Sequence, residues 1–362
     1  MHKRIYTKIT GTGSYIPTKI IKNEYFLKND FYDQKGVKID TPNEVIISKF
    51  EAITEISERR YVDDDLTSSD IGSIAAGKAI KNAGIDKETL DYIIVGHNLG
   101  DICSNVSHID IIPSIASRIK EKLGINNPNT VAYDILFGCP GWLQGVIQAD
   151  YYIRSGDAKR ILVIGTETLS KMCDPHDRDS MIYADGAGAT ILEGIESDEP
   201  VGILSHSTRT DSAGQVYNLW LGKSYNTEIK GKEIFLKMNG RKLYNYALST
   251  VPLVVKECLE KARVTLEDVN KVLIHQANAK MDDAILNRIF RLYDNDSIPD
   301  NIMPMTISWL GNSSTATVPT LLDFILTGKM PGHELKKGQI AVLASVGAGM
   351  NINCAIYKLP AD

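Results

Sequence analysis

The chain has 362 residues, 43% of them hydrophobic, enough for a large core in one big domain or in two fused halves. Its formal charge is −5, no basic run forms a nucleic-acid footprint, and no apolar stretch reaches the roughly 18 residues of a membrane span. Five cysteines (Cys103, Cys139, Cys173, Cys258, Cys354) are odd in number and lack CxxC spacing, which argues against a disulfide framework or zinc site and for a reducing, cytoplasmic setting.

In chain order, Ile5-Tyr6-Thr7-Lys8-Ile9-Thr10 reads as a strand rather than a signal peptide's apolar core. Gly11-Thr12-Gly13 lacks the third glycine and the helix of a dinucleotide loop, and Pro17 follows too soon, so it reads as strand and turn. Glu58-Arg59-Arg60 reads as surface charge. From Ala83 to Gly96 a helix pattern ends, a short acidic connection follows, and a β-branched strand begins. The same succession runs from Ala262 to His275, 179 residues later throughout. Phe137-Gly138-Cys139 and Leu310-Gly311-Asn312, each leading into a helix, make a fainter pair, as do Arg160–Gly165 and Gln339–Ala344. The expectation is two copies of one α/β unit, residues 1–200 and 201–362, with sheets covered on both faces.

Cys139 follows a strand and a small-residue turn and precedes a long helix pattern. A thiol at a helix N-terminus is favoured as thiolate, the nucleophilic form, although a buried structural cysteine fits the position equally well. His275 falls at the end of a strand, where α/β proteins carry functional side chains. Asn312 precedes a helix, where Asn also serves as a plain cap. No histidine has metal-ligand spacing, so no metal site is expected. Either structural reading alone would win, but cysteine, histidine and asparagine together, on matched elements of a duplicated chain, point to one shared site.

These motifs resemble the β-ketoacyl-acyl-carrier-protein synthase III family of the thiolase superfamily. The resemblance extends through Ile9–Pro17, Cys173–Arg178, Asp185–Ala189 and Ser345–Gly349. It implies a homodimeric, five-layered αβαβα thiolase-like α/β sandwich, without metal or organic cofactor, that takes substrates from an acyl carrier protein. By the resemblance, Cys139 carries the acyl group. His275 and Asn312 hold the thioester oxygen of a malonyl-type second substrate, and the N–H groups of Cys139 and Gly349 form the oxyanion hole. Arg178 and Asn278 contact the carrier arm or coenzyme A.

The family's tryptophan and Arg-Thr-Gly-Ile motif, which hold coenzyme A, are missing. Ile53-Thr54-Glu55-Ile56 stands there, preceded by extra residues around 30–48. Ile112, in the 101–113 segment, takes the place of a phenylalanine that in the family reaches the partner's acyl pocket. Both departures predict a carrier-bound donor with a chain longer than acetyl. They resemble paralogues of dialkylresorcinol and aryl-polyene pathways, which couple longer chains. An acyltransferase or thioesterase without condensation is a third possibility.

Overall fold

The computed structural model describes residues 4–103 and 108–361. Arg4–Tyr15 (β1), Tyr92–Gly96 (β2), Val131–Ile135 (β3), Arg160–Thr168 (β4) and Asp185–Ser197 (β5) form a sheet in the order β1-β5-β4-β2-β3. Next come Gly202–Thr210 (β6), Leu219–Gly222 (β7), Phe235–Met238 (β8), Val269–Ile274 (β9), Ile340–Gly347 (β10) and Asn351–Lys358 (β11). Of these, β7 and β8 pair as a hairpin, and the others form a second sheet in the order β6-β11-β10-β9. In the first sheet β2 runs parallel to β3 and β4, while β4–β5 and β5–β1 are antiparallel. In the second, β9–β10 is parallel and β10–β11 and β11–β6 are antiparallel. The run β1-β5-β4-β2 is therefore repeated as β6-β11-β10-β9, in order and direction.

The longer helices are Asn43–Thr54 (α1), Ser68–Ala83 (α2), Ile115–Lys122 (α3), Gly141–Ser155 (α4), Gly240–Ala262 (α5), Ala279–Arg291 (α6) and Thr317–Leu326 (α7). Local chemistry sets their ends. Thr67 and Asp70 close a capping box at the start of α2, and Gly84, in the left-handed region, stops it.

Alternation along the strands builds the layers. On β4, Ile161 and Val163 face the core that holds α4 and α7, whereas Leu162 and Ile164 face α2 and α3. On β10, Ala341 and Leu343 face α4 and α7, whereas Val342 and Ala344 face α5 and α6. Strands buried on both faces lose the apolar–polar alternation of a half-exposed sheet. The stack is α2/α3, first sheet, α4/α7, second sheet, α5/α6: five layers. Across the middle, the backbone N–H of Ile9 on β1 donates to the Tyr357 hydroxyl on β11 at 3.0 Å. Among the described residues no helix is long and apolar enough to cross a membrane.

Gly11 and Gly13 have a packing role. A Cβ at Gly11 would lie 2.5 Å from the Ala79 carbonyl oxygen, and one at Gly13 would lie 2.6 Å from the Ala79 nitrogen. Helix α2 thus lies directly on β1. Gly77, inside the same helix, has 4.0 Å of clearance. Gly13→Ala is therefore expected to cost about 1–3 kcal/mol by overpacking, and Gly77→Ala to stabilise by roughly 0.5–1 kcal/mol. Urea melts of the two variants check this, and equal effects would contradict the packing account.

Candidate active site

The carboxyl ends of the parallel strands converge on one cavity of about 790 Å³. This is the usual place for a site in such sheets. Cys139 lies four residues after β3. Gly138 turns the chain with φ +68°, and Pro140 caps α4. Opposite, at the end of β10, a Cβ on Gly347 would lie 3.0 Å from Cys139 Sγ, so glycine lets the two turns meet. The thiol does not behave as the helix N-terminus alone would have it. Burial pushes it up to about 12, with the nearby Glu167 charge adding, against the smaller effect of the Ser314 hydroxyl. At rest Cys139 is a thiol.

His275 directly follows β9, and its backbone N–H continues the ladder to Ala344 O at 2.9 Å. Burial holds the ring down to about 4, with an opposing hydrogen bond to the Ser314 backbone, so the imidazole is neutral. Its Nδ1 has no partner among the described residues. Asn312 is tied at both backbone ends: its N–H donates to Ile182 O at 3.0 Å, and its carbonyl accepts from Ala184 N at 2.9 Å. Its Oδ1 accepts from Ser314 N at 2.8 Å, which leaves the amide NH₂ as the end toward the cavity. Asn312 is thus a positioned donor rather than the cap of α7, which begins at Thr317.

Cys139, His275 and Asn312 share the cavity wall, as do Arg178 and Asn278. Residues 133–212 match the 3-oxoacyl-[acyl-carrier-protein] synthase III family, and residues 259–359 match its C-terminal domain. A β-ketoacyl-[acyl-carrier-protein] synthase III of Xanthomonas campestris pv. campestris is 33% identical, covering 99% of this chain and all of that one. The chain belongs to the synthase III family. It is an acyl-transferring condensing enzyme. The synthase III structure from Thermus thermophilus superposes with a TM-score of 0.79 at 27% identity, over 98% of this chain and 100% of that one. The priming β-ketosynthase of the R1128 polyketide pathway does so at 0.79 and 25%, over 99% and 97%.

Several features of this synthase III chain differ from the sequence reading. Gly349 is not on the cavity wall. It has φ +76° and sits beside the Asn351 side chain, whereas Gly347 and Ala348 line the cavity. Ile112, expected to reach a partner's pocket rather than the chain's own, is 84% exposed and does not line this cavity, which leaves that expectation standing as it was. Part of the 101–113 segment, residues 104–107, lies outside the described residues. Arg59 is not surface charge. It is fully buried, donating to Met181 O (3.0 Å), Ile21 O (3.1 Å) and Asn23 Oδ1 (2.7 Å), and its guanidinium lies 4.9 Å from the Phe26 ring centroid. It fixes the segment leading to Ile182 and Tyr183 on the wall. Asn278 caps α6, accepting from Met281 N at 3.0 Å.

The extra residues near 30–48 have a clear place: Gln34, Ile39 and Thr41 line the cavity beside Ile46, Phe50 and Ile53 of α1. Glu55, where the family motif has glycine, adopts φ +59°. Three polar residues escaped the sequence reading. Asn98, just after β2, donates through Nδ2 to Glu167 Oε1 and, at 2.9 Å, to Ser314 Oγ. Glu167 is fully buried near the end of β4. Its signal was available, as a lone acid in the apolar run Ile161–Thr168. Ser314 holds φ +53°, a conformation rare outside glycine that the chain pattern does not announce.

The neutral His275 has a consequence for stability. Between pH 6.5 and about 4 an unfolded histidine takes up a proton that the folded one refuses. Its effect is nil above 6.5, and stability falls as pH drops toward 4. The wild type is expected to lose about 2–3 kcal/mol more than His275→Gln between pH 7 and pH 4.5 in urea unfolding. Equal losses would show that the ring is not held neutral.

Proposed function

We propose that this enzyme moves an acyl group from a carrier thioester onto Cys139 and then condenses it with a malonyl-type thioester. In the first half-reaction the sulfur attacks the acyl carbonyl and the carrier thiol departs. In the second, the malonyl group loses CO₂, and the resulting enolate attacks the Cys139 thioester. The β-ketoacyl product leaves and the thiol is restored. The observation that carries this reading is the sharing of one cavity by Cys139, a neutral His275 and an Asn312 whose amide is held donor-side in. Neutral N–H donors suit an enolate oxygen. The N–H groups of Cys139 and Ala348 are the proposed oxyanion hole, Ala348 replacing Gly349. The steps close without a metal or organic cofactor.

The donor is proposed to be an acyl carrier protein. Lys49, Arg178 and Arg241 are exposed side chains at the cavity, a setting for the phosphate of a phosphopantetheine arm. The apolar wall of Ile39, Ile46, Phe50 and Ile53 favours chains longer than acetyl. It also supports a second reading, the coupling of two longer acyl chains. Acyl transfer without condensation is disfavoured, because hydrolysis does not need the His275–Asn312 donor pair. A homodimer in the cytoplasm is proposed as well. β3 is an edge strand, and Ile111, Ile112, Val131 and Leu136 leave apolar side chains exposed. The expected two-fold interface exceeds about 2,000 Å². A monomer by light scattering at micromolar concentration would contradict it.

Intact-mass spectrometry tests the chemistry. One acyl mass should add to the wild type and none to Cys139→Ala. His275→Ala and Asn312→Ala should still acquire the adduct but lose condensation by about 10²–10³. Asn312→Asp condensing at the wild-type rate would refute the donor role. For donor and chain length, octanoyl carrier protein should acylate faster than octanoyl-coenzyme A, whose family contacts are missing here, and octanoyl donors faster than acetyl-coenzyme A, since each buried CH₂ adds up to about 0.8 kcal/mol. Fastest reaction with acetyl-coenzyme A would point instead to simple fatty-acid initiation.

A further inference from the structure

A buried lysine stands behind one wall of the cavity. Lys237, in the middle of β8, is 1% exposed, and its neighbours Leu236 and Met238 line the cavity. Alternation along the strand turns Lys237 to the opposite face. There its ammonium donates to Asp174 Oδ2 and, at 3.2 Å, to Asp177 Oδ2, and it lies 3.5 Å from the Tyr225 ring centroid. Both carboxylates are buried as well.

These contacts belong to a wider set centred on the loop 174–179. Asp174 Oδ1 accepts from His176 N at 3.0 Å and from Ser224 Oγ at 2.9 Å, and its Oδ2 also accepts from Tyr225 N at 2.9 Å. The loop thus grips the β7–β8 hairpin at Lys237 and again between its strands. It also holds the start of the extra residues near 30–48. Asn29 Nδ2 donates to Pro175 O at 2.9 Å, and Tyr32 N donates to His176 O at 2.9 Å. The Tyr32 and His176 rings meet edge-on, with centroids 5.5 Å apart. A Cβ on Gly36 would lie 2.6 Å from Thr227 Cγ2, so the extra segment and the hairpin touch directly.

Two apolar walls depend on this loop. Leu219 and Leu236 of the hairpin cluster with Leu99, Leu169 and Tyr183. That wall borders the constellation, since Leu99 follows Asn98 and Tyr183 lies between the two residues tied to the Asn312 backbone. Ile39, Ile46 and Phe50 form the other wall with Met181. An apolar side chain at position 237 would accept many packings. A buried ammonium accepts only those that keep its carboxylates, because an unpaired buried charge is strongly unfavourable.

We propose that Lys237, through Asp174 and Asp177, sets the preference for long acyl chains by locking the β7–β8 hairpin to the loop 174–179. The lock holds the two apolar walls in one arrangement. An acetyl group is too short to use those walls, so their alignment matters only to a longer chain. Lys237 touches no substrate and acts through Leu236 and Met238, so it is a positioning residue. The inference rests on the acyl-transfer reading of Cys139 and names what fixes its chain length.

Self-acylation of Cys139 by acetyl- and octanoyl-N-acetylcysteamine, quenched and weighed as intact protein over a range of donor concentrations, tests the lock. The two donors differ only in the acyl chain, and neither needs carrier docking. The wild type should prefer the octanoyl donor. Lys237→Met keeps most of the side chain's length and removes its charge. It should raise the half-saturating octanoyl concentration by about 10-fold or more, with the maximal rate within about twofold and the acetyl values unchanged. Tyr225→Leu, which removes the ring beside the ammonium and leaves both ion pairs, should shift the octanoyl value the same way by about threefold. Should Lys237→Met fail to fold, Tyr225→Leu decides by the same readout. Equal losses with both donors, or no change with octanoyl, would overturn the lock and leave the nucleophile standing, as would a wild type that prefers acetyl. No adduct on wild-type Cys139, from these donors or from octanoyl carrier protein, would overturn the acyl-transfer reading itself, and the lock with it.

Discussion

Backbone meets backbone where α4 and α7 begin, and the site depends on it. A Cβ on Gly96, at the end of β2, would lie 2.5 Å from the Gly141 carbonyl carbon, and one on Gly165 of β4 would lie 2.8 Å from that of Thr315. A Cβ on Gly141 would lie 3.2 Å from Thr315 Cγ2. Thr315 in turn donates its hydroxyl to Gly96 O at 3.2 Å. Three glycines from the first half therefore let the turn between Asn312 and α7 settle against the first sheet. A side chain at any of them would lever that turn away. The cavity would then lose the shared position of nucleophile and donors.

The duplication explains why this contact exists. Matching copies of one unit place α4 and α7 side by side in the middle layer, each entered from a glycine-containing turn. The halves then diverge in chemistry. The first supplies a sulfur and a buried acid. The second supplies a neutral imidazole and a carboxamide. A single unit offers one helix start and the carboxyl ends of one sheet, so it could hold only half of the constellation.

The layered fold was legible because its signals are local and repeated. Apolar strands without alternation, the Ala83–Gly96 succession and its copy at Ala262 required no knowledge of distant contacts. The positions of Cys139, His275 and Asn312 were legible for a related reason: each lies within a few residues of the end of a strand or the start of a helix, where topology gathers side chains. What failed was long-range. Arg59 sits in a short charged run and gives no sign that Met181, Ile21 and Asn23 will surround it. Gly349 and Ala348 are adjacent in a small-residue turn, and only the turn's geometry decides which one faces the cavity. Asn98 and Ser314 meet through one hydrogen bond spanning 216 residues, which no spacing rule reaches.

Burial acts in opposite senses on the groups around this cavity, and the chemistry follows from the contrast. It raises the thiol and the carboxyl and lowers the imidazole, because it penalises the charged form of each. These three groups therefore rest uncharged, which suits an apolar chain entering beside them. A helix N-terminus favours a thiolate, whereas burial at Cys139 favours the neutral thiol. The sulfur is thus kept dormant until a thioester carbonyl arrives to take up the developing charge. A site so arranged ties reactivity to occupancy, since the same dry walls that admit the acyl chain hold the nucleophile protonated in its absence.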